Sequence, residues 1–216
     1  MNRNRLFVAA LFAAFGVVTL IAVVAIADSW DHTQPTVPGE MQLPPGWTAE
    51  DMQAVIAAGT PGKMHEHLAQ DIGTWRCKSK TWMAPDTEPI TSEGTSTVKP
   101  LMDGRFTQVE MNGEMPGMGP YNGLCIYGYD NVSQQFVSTW IDNHGTGMMN
   151  GVGELSEDGK TITWEYTGNC PIAHKPITMR EVDTITGPNT RTLEMFGTPP
   201  KGGEEYMMMS IELTKE

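Results

Sequence analysis

The sequence predicts an all-β protein, an antiparallel up-and-down barrel of about ten short strands behind two short helices and an N-terminal membrane-directed helix. Three observations carry that expectation. From residue 74 onward, apolar and polar residues alternate with a period of two in segments rich in Thr, Val, Ile and aromatics. Turn signals stand between the segments, among them Asp103-Gly104, Asp130-Asn131 and Asp158-Gly159. No helical segment separates them, so successive strands pair as hairpins, and a meander of this size hides its edges by closing on itself.

The N-terminus comes first. Behind Arg3 and Arg5, Leu6 to Ala27 runs 22 residues without a charge. As a helix that run spans roughly 33 Å, enough for a bilayer core of about 30 Å. The two arginines place the leading end in the cytoplasm and everything after Ala27 outside it. Ala25-Ile26-Ala27 fits a cleavage site, so residues 1–27 read either as a retained signal anchor or as a signal peptide removed after Ala27. The protein is then membrane-anchored by one helix or secreted, and extracytoplasmic in both cases.

Residues 28–46 contain Pro35, Pro38, Pro44 and Pro45 with little apolar periodicity and read as a linker. Residues 47–73 hold two short helices. Thr48 and Asp51 have capping-box spacing, and Trp47 with Met52 matches a hydrophobic staple. Gly59 ends the first helix; Pro61 opens the second, which stops at Gly73. The barrel occupies 74–216. Its strands are expected at 74–83, 91–100, 106–111, 121–129, 135–142, 148–155, 161–167, 178–185, 190–196 and 206–213.

The order of several short motifs within this frame resembles a known family. Gly73-Thr74-Trp75 begins the first strand just after a helix, in the manner of the Gly-x-Trp signature of lipocalins. His67-Leu68, Gly104-Arg105-Phe106, Gly128-Tyr129-Asp130 and Trp140-Ile141-Asp142 complete a pattern similar to a lipocalin-like family, domain of unknown function 1579, over residues 64–213. The resemblance implies a β-barrel and no established activity or catalytic residue.

Charge and motifs narrow the function further. The net charge of −12 argues against a nucleic-acid partner, which demands a basic stripe. Without residues 1–27 the charge becomes −14. Three cysteines exclude a disulfide-rich scaffold; one bridge, Cys77–Cys170, is compatible with an oxidising compartment. Gly-x-Ser-x-Gly, His-Glu-x-x-His and phosphate-loop signatures are absent, which disfavours an enzyme. His65 and His67 lie two residues apart, about 200° around a helix, so they do not face one metal.

Sixteen methionines are the compositional oddity. Met111, Met115 and Met118 share one glycine-rich segment, where three thioethers would suit Cu(I); methionine is also adaptable apolar filler. His144 follows the strand ending Trp140-Ile141-Asp142, at a barrel rim, where it could ligate a metal or haem iron, as in haem-binding barrels related to lipocalins. Trp75, Tyr127, Trp140, Asp142 and His144 are the candidate lining and mouth of a ligand site. The sequence thus points to an exported, non-enzymatic envelope protein whose barrel holds a small apolar ligand or is structural. The alternative is a metal or haem protein using His144 or the methionine segment.

Overall fold

The computed structural model describes residues 43–216. The 1–27 segment, with its membrane and cleavage expectations, and most of the 28–46 linker lie outside the described residues. Among the described residues no helix is long and apolar enough to cross a membrane.

Ten antiparallel strands close a barrel in strict meander order: β1 (Gly73–Thr81), β2 (Ile90–Leu101), β3 (Phe106–Met115), β4 (Gly119–Asp130), β5 (Gln135–Asp142), β6 (Met149–Leu155), β7 (Thr161–Cys170), β8 (Lys175–Gly187), β9 (Thr190–Gly197) and β10 (Tyr206–Lys215). Closure is made by β1 and β10, in register from Trp75 opposite Lys215 to Thr81 opposite Met209. Every strand therefore has two partners, and no row of backbone donors is left open to a passing chain.

Several strands run longer than their alternation alone suggests. β3 extends to Met115 and β4 begins at Gly119, so Met111–Met118 is a tight hairpin rather than a loose glycine-rich loop. β7, expected to end at residue 167, runs on to Cys170. In β10 the register slips between Met207 and Met209, which interrupts the inward–outward alternation there.

Two helices precede the barrel, α1 (Ala49–Ala58) and α2 (Lys63–Ala69). The expected capping box is formed: the Asp51 amide donates to Thr48 Oγ1 at 3.1 Å, and the Thr48 amide donates to Asp51 Oδ2 at 2.7 Å. α2 starts two residues later than Pro61 suggests, because Gly62 is its cap and donates its amide to His65 Nδ1.

The helix pair plugs the end of the barrel where β1, β3 and β5 begin. Arg105 Nε donates to the Gly59 carbonyl at 2.9 Å, Asn131 Nδ2 donates to the Thr60 carbonyl at 2.8 Å, and Lys215 Nζ reaches the Gln70 carbonyl. His65 and His67 turn to different aromatic partners, Tyr129 and Phe136, as their spacing requires. Leu68 enters the core with Phe136, Ile162, Trp164, Tyr166 and Met179. The opposite end carries the 116–118 and 143–148 segments and, among the described residues, has no plug.

A candidate ligand-binding cavity

Alternation decides which side chains face inward, and glycines decide how large they can be. A Cβ at Gly151 would stand 2.6 Å from Tyr166 Cε1, and one at Gly123 only 2.2 Å from Trp140 Cζ2. Hydrogen in place of methyl lets the big rings of neighbouring strands fold over the backbone. The rings then crowd one side of the barrel, Tyr127, Trp164, Tyr166 and Phe136 meeting edge to face or tilted. The other side stays open as a cavity of about 470 Å³, reaching from the plug to the open end. Its wall is mainly apolar, with Val98, Val109, Ile162, Leu193 and Ile211 among the residues bordering it.

The expected site residues separate into three groups. Trp75, Tyr127, Trp140 and Asp142 border the cavity, as alternation along β1, β4 and β5 predicts. Trp75 lies near the plug, where its Nε1 donates to the Asp71 carbonyl at 2.8 Å. Trp140 lies toward the mouth and donates Nε1 to Asp142 Oδ2 at 3.0 Å, while Asp142 Oδ1 accepts the His144 amide. Asp142 therefore ties the wall to the following loop. His144 does not border the cavity. Its Nε2 lies 3.1 Å from the Pro120 carbonyl and its ring sits tilted against Tyr121. That arrangement holds the imidazole against the hairpin beside it. Met111, Met115 and Met118 do reach the cavity mouth, Met118 at the exposed tip of the hairpin.

The expected Cys77–Cys170 bridge is not formed: all three cysteines are free and buried. The reason is topological. Cys77 is on β1 and Cys170 on β7, which pair with different neighbours on separate parts of the barrel wall. Burial pushes the Cys77 thiol up to about 11 and Cys125 up to about 12, so neither is a thiolate at neutral pH.

Alternation along β8 also brings inward a group that the sequence reading missed. Met179, Glu181, Asp183 and Ile185 share the inner face. Glu181 is only 4% exposed, and its Oε1 has no hydrogen-bond partner among the described residues; the buried Trp164 Nε1 has none either. Burial raises the Glu181 carboxyl to about 8, with the nearby Asp183 charge adding to the effect. Burial likewise raises Asp183 to about 7; Asp71 raises it further and Arg191 opposes the shift. Asp71, just after α2, is raised to about 6 by burial despite its ion pair with Arg191. Burial also holds the Tyr127 and Tyr166 hydroxyls above their usual range, so they stay neutral donors, and Ser138 Oγ donates to the Tyr166 oxygen at 3.0 Å. The one signal for Glu181 and Asp183 in the sequence is that they lie in phase with Met179 and Ile185, two apolar residues of the same strand.

A closed antiparallel meander around a mainly apolar cavity, with a few buried polar groups on its wall, defines an up-and-down β-barrel. The chain belongs to the family described as "Protein of unknown function (DUF1579)", whose model matches residues 60–215. No curated protein matches it. Among solved structures, the crystal structure of Rv2717c from M. tuberculosis aligns with a TM-score of 0.55 at 14% identity, over 73% of this chain and 99% of that one. A redesigned β-barrel, b11L5F_LGL, aligns at a TM-score of 0.39 and 14% identity over 72% of this chain and 99% of that chain. The Rv2717c likeness is one of fold.

Proposed function

We propose that the barrel binds a small, mostly apolar molecule carrying one polar end, in the manner of a lipocalin-like carrier, without catalysing a reaction. The observation that carries this reading is the 470 Å³ cavity with a buried, unpartnered Glu181 oxygen on its wall. Apolar lining supplies affinity through area removed from water, and a few polar atoms orient the guest. An unpartnered buried oxygen costs about 1–3 kcal/mol, a cost that a ligand donor removes on binding.

The methionines fit the same reading. Met83, Met111, Met115, Met118, Met149 and Met209 border the cavity, several of them near its mouth. Unbranched thioethers adapt to varied apolar shapes, which suits a port through which a guest must pass. The charge-free segment behind Arg3 and Arg5 supports an extracytoplasmic site of action, at the membrane surface or released from it.

The test is titration with the neutral fluorophore N-phenyl-1-naphthylamine. The expected result is saturable one-to-one binding, abolished by Leu193→Trp, which fills the cavity. A folded protein giving no saturable fluorescence, or a Leu193→Trp variant that binds undiminished, refutes the reading.

A further inference from the structure

The charge inside the cavity is lopsided. Asp142 stands at the mouth, Glu181 and Asp183 project from β8, and Asp71 lies at the plug. The exposed Glu93 and Glu114 also border it, so against six carboxyls the lining holds three basic side chains, His67, Arg191 and the exposed Lys160, all at the plugged end, and Arg191 is paired with Asp71. Asp183 thus shares the influence of Arg191 with Asp71, while Glu181 faces the cavity with no basic group acting on it. The walls around Glu181 are aromatic: Trp164 is its register partner on β7, and Tyr166 and Tyr127 stand close enough for the Glu181 charge to act on both. Aromatic faces carry the negative end of a quadrupole and attract cations. An anionic headgroup would meet carboxyls here and no uncommitted positive charge. A neutral alcohol would satisfy Glu181 Oε1 and bring no positive charge to the Glu181 carboxyl.

We propose that the cavity selects an organic cation, a protonated amine on an apolar body, with its ammonium group between the Glu181 carboxyl and the aromatic wall of Trp164, Tyr127 and Tyr166. The proposal rests on the ligand-binding reading above and names the chemical class of the ligand. The acidic mouth at Asp142 draws the same charge inward.

Arrival of the cation also favours the ionised carboxyl. The groups facing Glu181 are Cys125 and Tyr127 on β4, Tyr166 on β7, Asp183 on its own strand, and the Asp71–Arg191 pair beyond it. Of these only the aspartates titrate near neutrality, and their ionisation favours a cation too. Amine affinity therefore climbs from pH 6 to pH 8, a range in which an alkylammonium, with a pKa of about 10, stays charged.

The experiment displaces N-phenyl-1-naphthylamine from the unaltered protein at pH 8 with three ten-carbon probes: decylamine, 1-decanol and decanoate. Decylamine is expected to bind at least about tenfold tighter than decanol, as one desolvated cation–carboxyl or cation–π contact implies, and decanoate weakest. Glu181→Gln is expected to remove most of the decylamine advantage, the aromatic wall and Asp183 keeping the rest, and to leave decanol within about twofold. Decanol or decanoate matching decylamine overturns the amine proposal while leaving the ligand-binding reading intact. Failure of the fluorophore and all three probes to bind the folded protein overturns both. The ranking in the unaltered protein decides the matter even where Glu181→Gln does not fold.

Discussion

Glu181→Gln should change the slope of stability against pH. The Glu181 carboxyl has an ordinary value of 4.5 and a folded value of about 8, raised first by burial and then by Asp183. The folded state holds the proton more tightly than the unfolded chain does. Stability from this group is full below the unfolded value near 4.5 and is lost as pH rises towards about 8. One differentially held proton is worth about 1.4 kcal/mol per pH unit, so the group removes on the order of 3 kcal/mol between pH 5 and pH 8. Glutamine keeps the shape and does not titrate.

The assay is urea unfolding of both proteins at pH 5, 6, 7 and 8, followed by tryptophan fluorescence. At pH 5 the variant is expected to be the weaker by about 1–3 kcal/mol, since its amide is buried with incomplete partners. The stability of the variant minus that of the parent should then rise by about 3 kcal/mol toward pH 8. His65 and His67, whose values burial depresses, contribute the opposite slope: stability present above about 6.5 and lost as pH falls. Both proteins share them, so they cancel in the difference. A difference flat to within about 0.5 kcal/mol across the range would refute the claim that Glu181 is held neutral by burial.

Two further outcomes are expected. Gly123→Ala places a methyl against the Trp140 ring, displaces it from Asp142, and costs about 1–3 kcal/mol, read as a lower Tm with altered near-ultraviolet dichroism of the tryptophans. Arg191→Leu leaves Asp71 without its ion-pair partner and costs about 3 kcal/mol by chemical denaturation; adding Asp71→Asn should recover part of that loss, and an unrecovered loss would mean that Arg191 acts through packing on Trp75.

The barrel was legible because alternation is a local signal and the turns announce themselves. The same alternation placed Trp75, Tyr127, Trp140 and Asp142 on the inner face, and the capping box placed α1. His144 was legible as a rim residue but not as one folded back on Pro120, because that depends on how the 143–148 segment settles beside the β3–β4 hairpin. Cys77 and Cys170 could not be separated without the strand order. Glu181 and Asp183 escaped for a deeper reason. Polarity normally marks the outer face of a strand, and here the inner face carries the acids. Only closure of the barrel, with Arg191 and the aromatic wall around them, makes that placement tolerable.

The chain enters the barrel at Gly73 and leaves it at Lys215, two residues at the plugged pole and one strand apart, with the Glu216 amide donating to the Thr74 carbonyl. Both ends of the barrel chain thus sit on the β1–β10 seam, so a pulling force applied between Gly73 and Lys215 would peel that seam open from the plugged pole, one backbone pair at a time.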